Sequence, residues 1–353
     1  MMLKDLLVRR IAMDGPMSVA DYMTEALLHP AYGYYTSHDG IGAAGDFVTA
    51  PEISQMFGEL IGLALAQSWL DQGAPVPFVL VELGPGRGTL MADILRAAAQ
   101  VPRFDAAMTV ALVEASPRLR EIQRKTLTGY DVTWCDHVEE LPAGPLWLVA
   151  NEFFDALPIR QFVRDGGGWR ERCVGLTDAA LSFGLGPAGP QPGLAHRTDD
   201  TQDGDLVELC PSAAPIMTRI GRRIERHGGA ALIIDYGDWR SLGDTLQAVK
   251  KHERTDPLAE PGRADLTAHV DFEALARAAA PARFARLTPQ GVFLERLGIT
   301  ARAQALADRL SGHALEAHVA AHRRLTHPDE MGILFKVLGI YPSAAAPPPG
   351  LVP

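Results

Sequence analysis

The chain has 353 residues, 47% of them apolar, which is enough for one large α/β domain with an insertion or for two domains that share a core, and which excludes extended disorder. Its formal net charge of −10 disfavours extended contact with nucleic acid phosphates and makes a basic or polypeptide substrate easier to accept. No apolar run approaches the length of a membrane span, so we expect a protein that does not cross a membrane.

Residues 1–76 are predicted to form a helical N-terminal segment with one loop. Apolar residues at the start recur at helical spacing, which predicts an amphipathic helix packed on the body of the protein: Leu3, Leu6, Leu7 and Ile11. The loop, residues 29–51, mixes aromatic residues and glycines in Tyr32-Gly33-Tyr34-Tyr35 and in residues 40–47. This composition suits a lid that closes over a ligand, although an ordinary surface loop fits it equally well.

A glycine-rich turn follows the first strongly apolar strand. The run Val-Glu-Leu-Gly-Pro-Gly-Arg-Gly-Thr at residues 81–89 leads from that strand into an Ala/Leu-rich helix. Glycines let the backbone bend sharply and approach a ligand closely, and the amides of the new helix face whatever lies above them. The predicted cofactor-binding residues of this turn are Glu82, Gly84, Pro85, Gly86, Gly88 and Thr89.

The spacing of the glycines favours one kind of cofactor. Dinucleotide folds use Gly-x-Gly-x-x-Gly, whereas here the pattern is Gly-x-Gly-x-Gly, with Thr89 where the third glycine would fall. Glu82 would repel a pyrophosphate but can meet the cationic amino group of a methionine moiety. The arrangement resembles motif I of class I S-adenosylmethionine (AdoMet) methyltransferases. A dehydrogenase that uses NAD and a glycine turn that binds nothing are the alternatives.

From residue 77 onward, apolar strands alternate with helices, which predicts a parallel sheet with right-handed crossovers. We predict an α/β, Rossmann-like methyltransferase domain with a doubly wound, mostly parallel seven-stranded sheet, formed by residues 77–160 and 205–340. Candidate strands for this sheet, one more than the seven it needs, are residues 78–83, 108–114, 132–134, 146–150, 205–209, 230–235, 292–296 and 332–338.

Two segments depart from this alternation. Residues 161–204 contain a hairpin pattern around Asp165-Gly166-Gly167-Gly168 followed by a Gly- and Pro-rich stretch, which predicts a β-rich insertion. Residues 341–353 are rich in Pro and Ala and are predicted to be a flexible tail.

Acidic residues stand where the predicted strands end, and ligands of open α/β sheets collect at that edge. Glu114 ends the second strand, and its carboxylate can accept both hydroxyls of a ribose. It could instead cap the following helix, but Ser116 is already a natural N-cap. Asp136 follows the third strand and is predicted to lie near the adenine amino group.

The fourth strand is followed by a dense cluster of polar and aromatic residues, Asn151-Glu152-Phe153-Phe154-Asp155. Methyl transfer from a sulfonium is an in-line displacement, so a methyltransferase must mainly align donor and acceptor. Carboxylates can hold a guanidinium because its planar fork matches them. Our catalytic candidates are therefore Glu152, Asp155 and Asn151. Alternatively, Asp155 caps a turn and the two phenylalanines belong to the core.

Cysteine and histidine patterns predict no metal site. The cysteines Cys135, Cys173 and Cys210 are odd in number and far apart, which argues against disulfides and favours a reducing compartment. His318 and His322 lie one helical turn apart but lack an acidic partner in a zincin pattern, so a solvated helix face explains them better. The start of the chain carries no Arg/Ser-rich leader, and we expect a bacterial, cytoplasmic protein.

Together, the longer motifs resemble the MidA family from about residue 6 to residue 338. They are residues 45–59 (with Thr49-Ala50-Pro51-Glu52), the glycine turn, residues 151–162, Asp235-Tyr236-Gly237 and His269-Val270-Asp271-Phe272. This resemblance implies an AdoMet-dependent protein arginine methyltransferase that releases S-adenosylhomocysteine. Its mitochondrial members act in assembly of respiratory complex I and lie in the matrix, which implies symmetric dimethylation of an arginine in a complex I core subunit. The alternative is an AdoMet-binding assembly chaperone with little or no catalysis.

Overall fold

The computed structural model of the protein describes residues 2–37 and 49–353. Residues 40–47 of the predicted lid-like loop lie outside these described residues. No described helix combines the length and the apolar character needed to cross a membrane. The α-helices are α1 Leu3–Asp14, α2 Val19–Leu28, α3 Tyr34–Ser37, α4 Ala50–Ile53, α5 Gln55–Asp71, α6 Thr89–Ala98, α7 Phe104–Ala107, α8 Pro117–Thr126, α9 Ala213–His227, α10 Phe272–Ala278, α11 Gln290–Arg296, α12 Ile299–Ala307 and α13 Gly312–Thr326.

Short strands and long strands both occur in the described chain. They are β1 Met17–Ser18, β2 Phe78–Leu83, β3 Met108–Val113, β4 Val132–Cys135, β5 Leu146–Asn151, β6 Arg160–Asp165, β7 Gly168–Thr177, β8 Ala180–Gly189, β9 Leu206–Leu209, β10 Gly229–Asp238, β11 Gln247–Lys250, β12 Glu253–Thr255, β13 Asp265–Thr267, β14 Val270–Asp271, β15 Arg283–Phe284, β16 Thr288–Pro289 and β17 Phe335–Tyr341. Helical turns of other types cover Val138–Glu140, Pro192–Arg197 and Pro328–Gly332.

The chain forms two compact units, each assembled from three separate segments. Unit 1 consists of Met1–Phe47, Asp155–Ala213 and Arg240–Asp271. Unit 2 consists of Val48–Phe154, Ala214–Trp239 and Phe272–Pro353. These bounds differ from the predicted domains, because α5 belongs to unit 2 rather than to the N-terminal segment, and Arg240–Asp271 belongs to unit 1.

Unit 2 is built on a mixed sheet with the strand order β15-β17-β10-β5-β2-β3-β4, and β16 pairs with β17. The strands from β10 to β4 are parallel, whereas β17 is antiparallel to β10. Leu83, Val113 and Ala150 lie in register near the ends of neighbouring strands. The residues that follow these strands therefore meet at one edge of the sheet.

The core of unit 2 is closely packed around aromatic side chains. Trp69 of α5 meets Phe104 edge-on at 5.3 Å, and Phe78 of β2 meets Trp147 of β5 at 5.2 Å. Helices α5 and α6 approach so closely that a Cβ on Gly62 would lie 2.9 Å from Cα of Ile94. This packing explains why α5 joins the sheet unit, since its apolar residues are buried there.

The end of unit 2 corrects two predictions. Residues 292–296 were predicted to be a strand, but Gln290–Arg296 is the helix α11, with Phe293 and Leu294 buried. A short apolar run does not distinguish a buried strand from a buried helix. The predicted flexible tail is wrong as well, because Leu351 is 7% exposed in the core and Arg286 N donates to Val352 O at 2.9 Å.

Unit 1 joins helices α1 and α2 to the predicted β-rich insertion. Its larger sheet has the order β1-β7-β6-β9, with β8 beside β7, and its smaller sheet has the order β12-β11-β13. The predicted amphipathic helix is confirmed, since Leu3, Leu7 and Ile11 of α1 are buried with Tyr22 and Val174. Strand β9 was predicted to return to the main sheet, but it pairs with β6 in register Gln161↔Glu208.

Candidate functional site

The glycine turn between β2 and α6 has a backbone that favours glycine at each of its three glycine positions. The φ angles of Gly84, Gly86 and Gly88 are 61°, 51° and 81°, in the left-handed region where a Cβ is strained. Pro85 O accepts the amide hydrogen of Gly88 at 2.7 Å, which closes the turn, and Thr89 begins α6. The turn therefore presents bare backbone at the start of a helix.

Glu82 is the penultimate residue of β2 and is buried beneath this turn. Its side chain is 3% exposed and accepts a hydrogen bond from the backbone of Met91 in α6. Burial raises the pKa of its carboxyl group to about 8, and the nearby charge of Glu114 also raises it. Its Oε2 atom has no hydrogen-bond partner within residues 2–37 and 49–353. Glu82 is thus a buried acid whose Oε2 could accept a hydrogen bond from a ligand.

Glu114 is held between the backbone of α8 and a buried glutamine. Its Oε1 accepts from Ser116 N at 2.8 Å, and its Oε2 accepts from Gln123 Nε2 at 3.1 Å. The pKa of Glu114 is raised mainly because the side chain is buried. Each carboxylate oxygen carries two lone pairs, so both can still accept a ligand hydroxyl. Ser116 caps α8 as predicted, through a bond from Leu119 N.

Gln123 is a site residue that the sequence analysis missed. Its side chain is fully buried, and Nε2 donates to Gly86 O at 2.8 Å as well as to Glu114. Its Oε1 accepts from Trp134 Nε1 at 2.9 Å. Gln123 therefore connects the glycine turn to the acidic residue. Its position on α8, one turn before the buried Leu127, is the signal that could have identified it, because a polar residue there interrupts an apolar face.

We expect Gln123→Leu to weaken binding of S-adenosylhomocysteine by about tenfold, because Glu114, Gly86 and Trp134 each lose a hydrogen-bond partner. Isothermal titration calorimetry measures this affinity, and circular dichroism checks the fold. Glu121→Leu on the exposed face of α8 is the matched control and should bind normally. Equal affinity in the Gln123 variant would show that the glutamine does not position the turn.

Asp136 lies farther out than the other predicted cofactor residues. Its side chain is 60% exposed and forms an ion pair with Arg120 at 2.6 Å. Arg120 also donates to Glu114 O at 2.7 Å, so it connects the ends of two neighbouring strands. The contact of Asp136 with an adenine amino group stays a prediction.

Glu152 follows β5 in a strained backbone conformation. Its φ angle of 51° is uncommon for a residue with a side chain, and such strain concentrates at functional sites. Its amide donates to Ile234 O at 2.9 Å, and its Oε1 accepts from Ala50 N at 3.1 Å and from Asn151 Nδ2 at 3.2 Å. The side chain is therefore oriented by the backbone and by its neighbours.

The Thr49–Glu52 motif supplies the connection between this carboxylate and the glycine turn. Ala50 N contacts Glu152, and Glu52 Oε1 accepts from Thr89 Oγ1 at 2.5 Å. Glu52 and Thr89 are thus joined at the start of α6. From the sequence, this segment was predicted as the end of the lid-like loop 29–51 and as a motif shared with the MidA family, and neither prediction includes these two contacts.

Asp235 holds the turn that follows Glu152. It is fully buried within β10, and its two carboxylate oxygens accept from Phe154 N at 3.1 Å and from Tyr236 N at 3.0 Å. Phe154 is buried, and its ring meets that of Phe153 edge-on at 5.1 Å. A Cβ on Gly84 would lie 2.8 Å from Cδ2 of Phe153, so the two turns are in close contact.

Asp155, the third catalytic candidate, belongs to unit 1. Its carbonyl oxygen accepts from Ala268 N at 2.9 Å, and its side chain is 5% exposed. Within the same unit, Tyr35 donates to Asp265 Oδ1 at 2.8 Å. Burial raises the pKa of Tyr35 well above its ordinary value, and the charges of Asp265 and Asp155 raise it further. The role of Asp155 stays a prediction.

Two observations indicate which kind of ligand the site can hold. Within the described parts of the chain, no cluster of His, Cys, Asp and Glu side chains has the composition of a metal site. Glu82 Oε2 and Asn151 Oδ1 are buried acceptors without a hydrogen-bond partner in residues 2–37 and 49–353. AdoMet offers an ammonium group, ribose hydroxyls and an adenine amine as donors, so the acceptors at this edge of the sheet fit it.

Comparisons with known proteins also indicate an AdoMet-dependent methyltransferase. Residues 60–290 match the model of a family described as "Putative S-adenosyl-L-methionine-dependent methyltransferase". The protein arginine methyltransferase NDUFAF7, mitochondrial, of Xenopus tropicalis is 38% identical over 371 residues, which cover 96% of this chain and 85% of the relative. The protein of that name from Homo sapiens is 38% identical over 366 residues, which cover 95% of this chain and 82% of the relative.

Two solved structures resemble most of the chain. The crystal structure of a Burkholderia thailandensis protein bound to S-adenosyl-homocysteine has a TM-score of 0.83 and 31% sequence identity, and the match covers 96% of this chain and 91% of that one. A native crystal structure from the same organism has a TM-score of 0.81 and 32% identity, with coverage of 96% and 91%.

Proposed function

Because this chain belongs to a family of S-adenosyl-L-methionine-dependent methyltransferases, we propose that it transfers the methyl group of AdoMet to an arginine nitrogen of a protein. The main support for an arginine acceptor is the 38% identity to a relative named protein arginine methyltransferase, over 96% of this chain. Glu152 also supports an arginine acceptor. Its backbone is strained, and its carboxylate, which could hold a guanidinium, is oriented by the amide of Ala50.

We propose that the cofactor is held by the glycine turn together with Glu82 and Glu114. Bound AdoMet supplies an electrophilic methyl group on a sulfonium. Glu82 can pair with the ammonium group because its Oε2 accepts no hydrogen bond from the described part of the chain. Glu114, fixed by Ser116 and Gln123, can accept the ribose hydroxyls. The bare backbone of Gly84, Gly86 and Gly88 allows close approach.

Glu152 performs the chemistry on the acceptor side in this proposal. A guanidinium has a pKa above about 12, so an arginine nitrogen must give up a proton when it gains a methyl group. The carboxylate of Glu152 holds the planar guanidinium through charge-assisted hydrogen bonds and takes up that proton. Asp155 stays a predicted second carboxylate for the same group.

The resemblance to the MidA family suggests which protein carries the acceptor arginine. We propose symmetric dimethylation of an arginine in a core subunit of respiratory complex I. The relatives are named mitochondrial, whereas a cytoplasmic location for this chain stays a prediction.

The test of this function is label transfer followed by mass spectrometry. The purified protein is incubated with methyl-labelled AdoMet and with complex I from a strain that lacks the gene. We expect label on an arginine of a core subunit. Normal binding of S-adenosylhomocysteine without any transferred label would favour the assembly chaperone, and label on another residue type would refute the arginine assignment.

Glu82 makes cofactor binding depend on pH. Its pKa of about 8 means that the carboxyl group is mostly protonated at neutral pH in the cofactor-free protein. Pairing with an ammonium requires the ionised form, so binding releases a proton below that pH. We expect the affinity for S-adenosylhomocysteine to rise with pH from about 6 to 8, by up to about tenfold per unit, and then to level off. Calorimetry at several pH values measures this.

The stability of the cofactor-free protein should fall with rising pH, whereas its affinity for the cofactor product should rise. Since the folded pKa of Glu82 lies above its unfolded value, the cofactor-free protein holds a proton that the unfolded chain has lost, and the free energy of unfolding falls as pH rises through this window. Glu82→Gln stays neutral and should remove both trends. A pH dependence that persists in this variant would assign the titration to another group.

A further inference from the structure

Helix α9 in unit 2 has two faces of opposite character. Its apolar residues Met217, Ile220 and Ile224 are fully buried. Its arginines occur at positions i, i+3, i+4 and i+7 and so lie within about 100° of arc on another face. They are Arg219, Arg222, Arg223 and Arg226, and we call them the arginine face.

The arginine face borders a groove of about 720 Å³. Apolar side chains line part of it, among them Val138, Leu141 and Leu146, and the acidic residue of its lining is Glu139. Leu146 begins β5, whereas Asn151 ends it, so the groove lies at the opposite edge of the sheet, about 17 Å away along the strand. The groove is therefore separate from the candidate methyl-transfer site.

The charge of the arginine face is not neutralised by carboxylates of the described chain. Arg219 donates to Glu139 O at 3.1 Å, and Arg223 donates to the backbone oxygens of Gly144, at 2.9 Å, and of Pro142. None of the four arginines forms an ion pair with a carboxylate in residues 2–37 and 49–353. Burial lowers the pKa of Arg223, and the neighbouring charge of Arg219 lowers it further.

These observations describe a positively charged groove with an apolar lining on a chain whose net charge is −10. We propose that this groove binds an acidic segment of a partner protein, with apolar side chains on the lining and carboxylates on the arginine face. Arginine suits this role because its fork pairs with carboxylates in a bidentate manner. An apolar lining favours a polypeptide over a phosphate polymer, and the overall negative charge disfavours nucleic acid. This inference does not depend on the proposed substrate of the methyl-transfer site.

Fluorescence anisotropy with a fluorescein-labelled peptide of alternating glutamate and leucine tests the proposal. We expect the peptide to bind with an affinity that weakens with added salt and falls at least tenfold in Arg222→Glu/Arg226→Glu. Both arginines are exposed, and neither side chain forms a hydrogen bond or an ion pair in the described chain. The matched control is Arg283→Glu/Arg309→Glu, which changes the net charge equally on exposed arginines elsewhere in unit 2 and should bind the peptide normally.

Binding of S-adenosylhomocysteine should be equal in all three proteins, which shows that the variants fold and that the groove is separate from the cofactor turn. Absence of peptide binding, or equal binding by both double variants, would overturn the proposal. So would tighter binding of a labelled oligonucleotide that the Arg222/Arg226 variant loses. A dimer that dissociates in that variant alone would assign the groove to a second copy of this chain and would also overturn it.

Discussion

Glu152→Gln is expected to lower methyl transfer to the protein acceptor by about 10²- to 10⁴-fold while leaving binding of S-adenosylhomocysteine within about threefold. The amide side chain keeps an oxygen that can accept from Ala50 N and Asn151 Nδ2, so the turn should stay in place. It loses the negative charge that holds a guanidinium and the basic oxygen that takes up its proton. Single-turnover assays with labelled AdoMet measure the rate of transfer, and calorimetry measures cofactor affinity.

The matched control for this variant is Glu121→Gln, which makes the same chemical change on the exposed face of α8. Its transfer rate should equal that of the unchanged protein. If Glu152→Gln transferred methyl groups at the normal rate, the carboxylate would have no part in the reaction, and its strained backbone would need another explanation. Equal losses of transfer and of cofactor affinity would instead place Glu152 in the cofactor pocket.

Gly86→Val is expected to weaken binding of S-adenosylhomocysteine at least a hundredfold. The φ angle of Gly86 is 51°, and a β-branched residue there carries strain of about 1–3 kcal/mol. Its isopropyl group also occupies a turn whose function requires bare backbone near the ligand. Gln123 donates to the carbonyl oxygen of Gly86, so a shift of this residue disturbs the support of Glu114 as well. Calorimetry measures the affinity, and thermal unfolding measures stability.

Gly166→Val separates the effect on binding from backbone strain. Gly166 has a φ angle of 55°, close to that of Gly86, and apart from its two neighbours in the chain no described residue comes within 4 Å of the position a Cβ would take. Both valine variants should therefore lose comparable stability, but only the Gly86 variant should lose cofactor affinity. Normal affinity in Gly86→Val would mean that the cofactor binds elsewhere.

Local sequence patterns predicted the type of several elements but did not predict where in the fold each element packs. Residues 161–204 could be predicted as β-rich because the hairpin around Gly166 and Gly167 is a local feature. The assignment of β9 to the main sheet was wrong because a four-residue segment that is rich in apolar residues predicts a strand but does not predict which strand it pairs with. Likewise, the Pro- and Ala-rich end of the chain carries no local signal that Leu351 would pack into the core of unit 2.

The glycine turn, the apolar strand before it and the acidic residues at the ends of neighbouring strands could be predicted from the sequence alone, because each depends on a few adjacent residues whose backbone or periodicity is distinctive. How these parts support one another depends on long-range contacts that appear only in the folded structure. Ala50 meets Glu152, Glu52 meets Thr89, and Gln123 joins Gly86 to Glu114. These contacts join residues 37 to 102 positions apart, apart from the bond between Gln123 and Glu114. They form because the carboxyl ends of parallel strands meet at one edge of the sheet, and no local pattern specifies which long-range partners meet there.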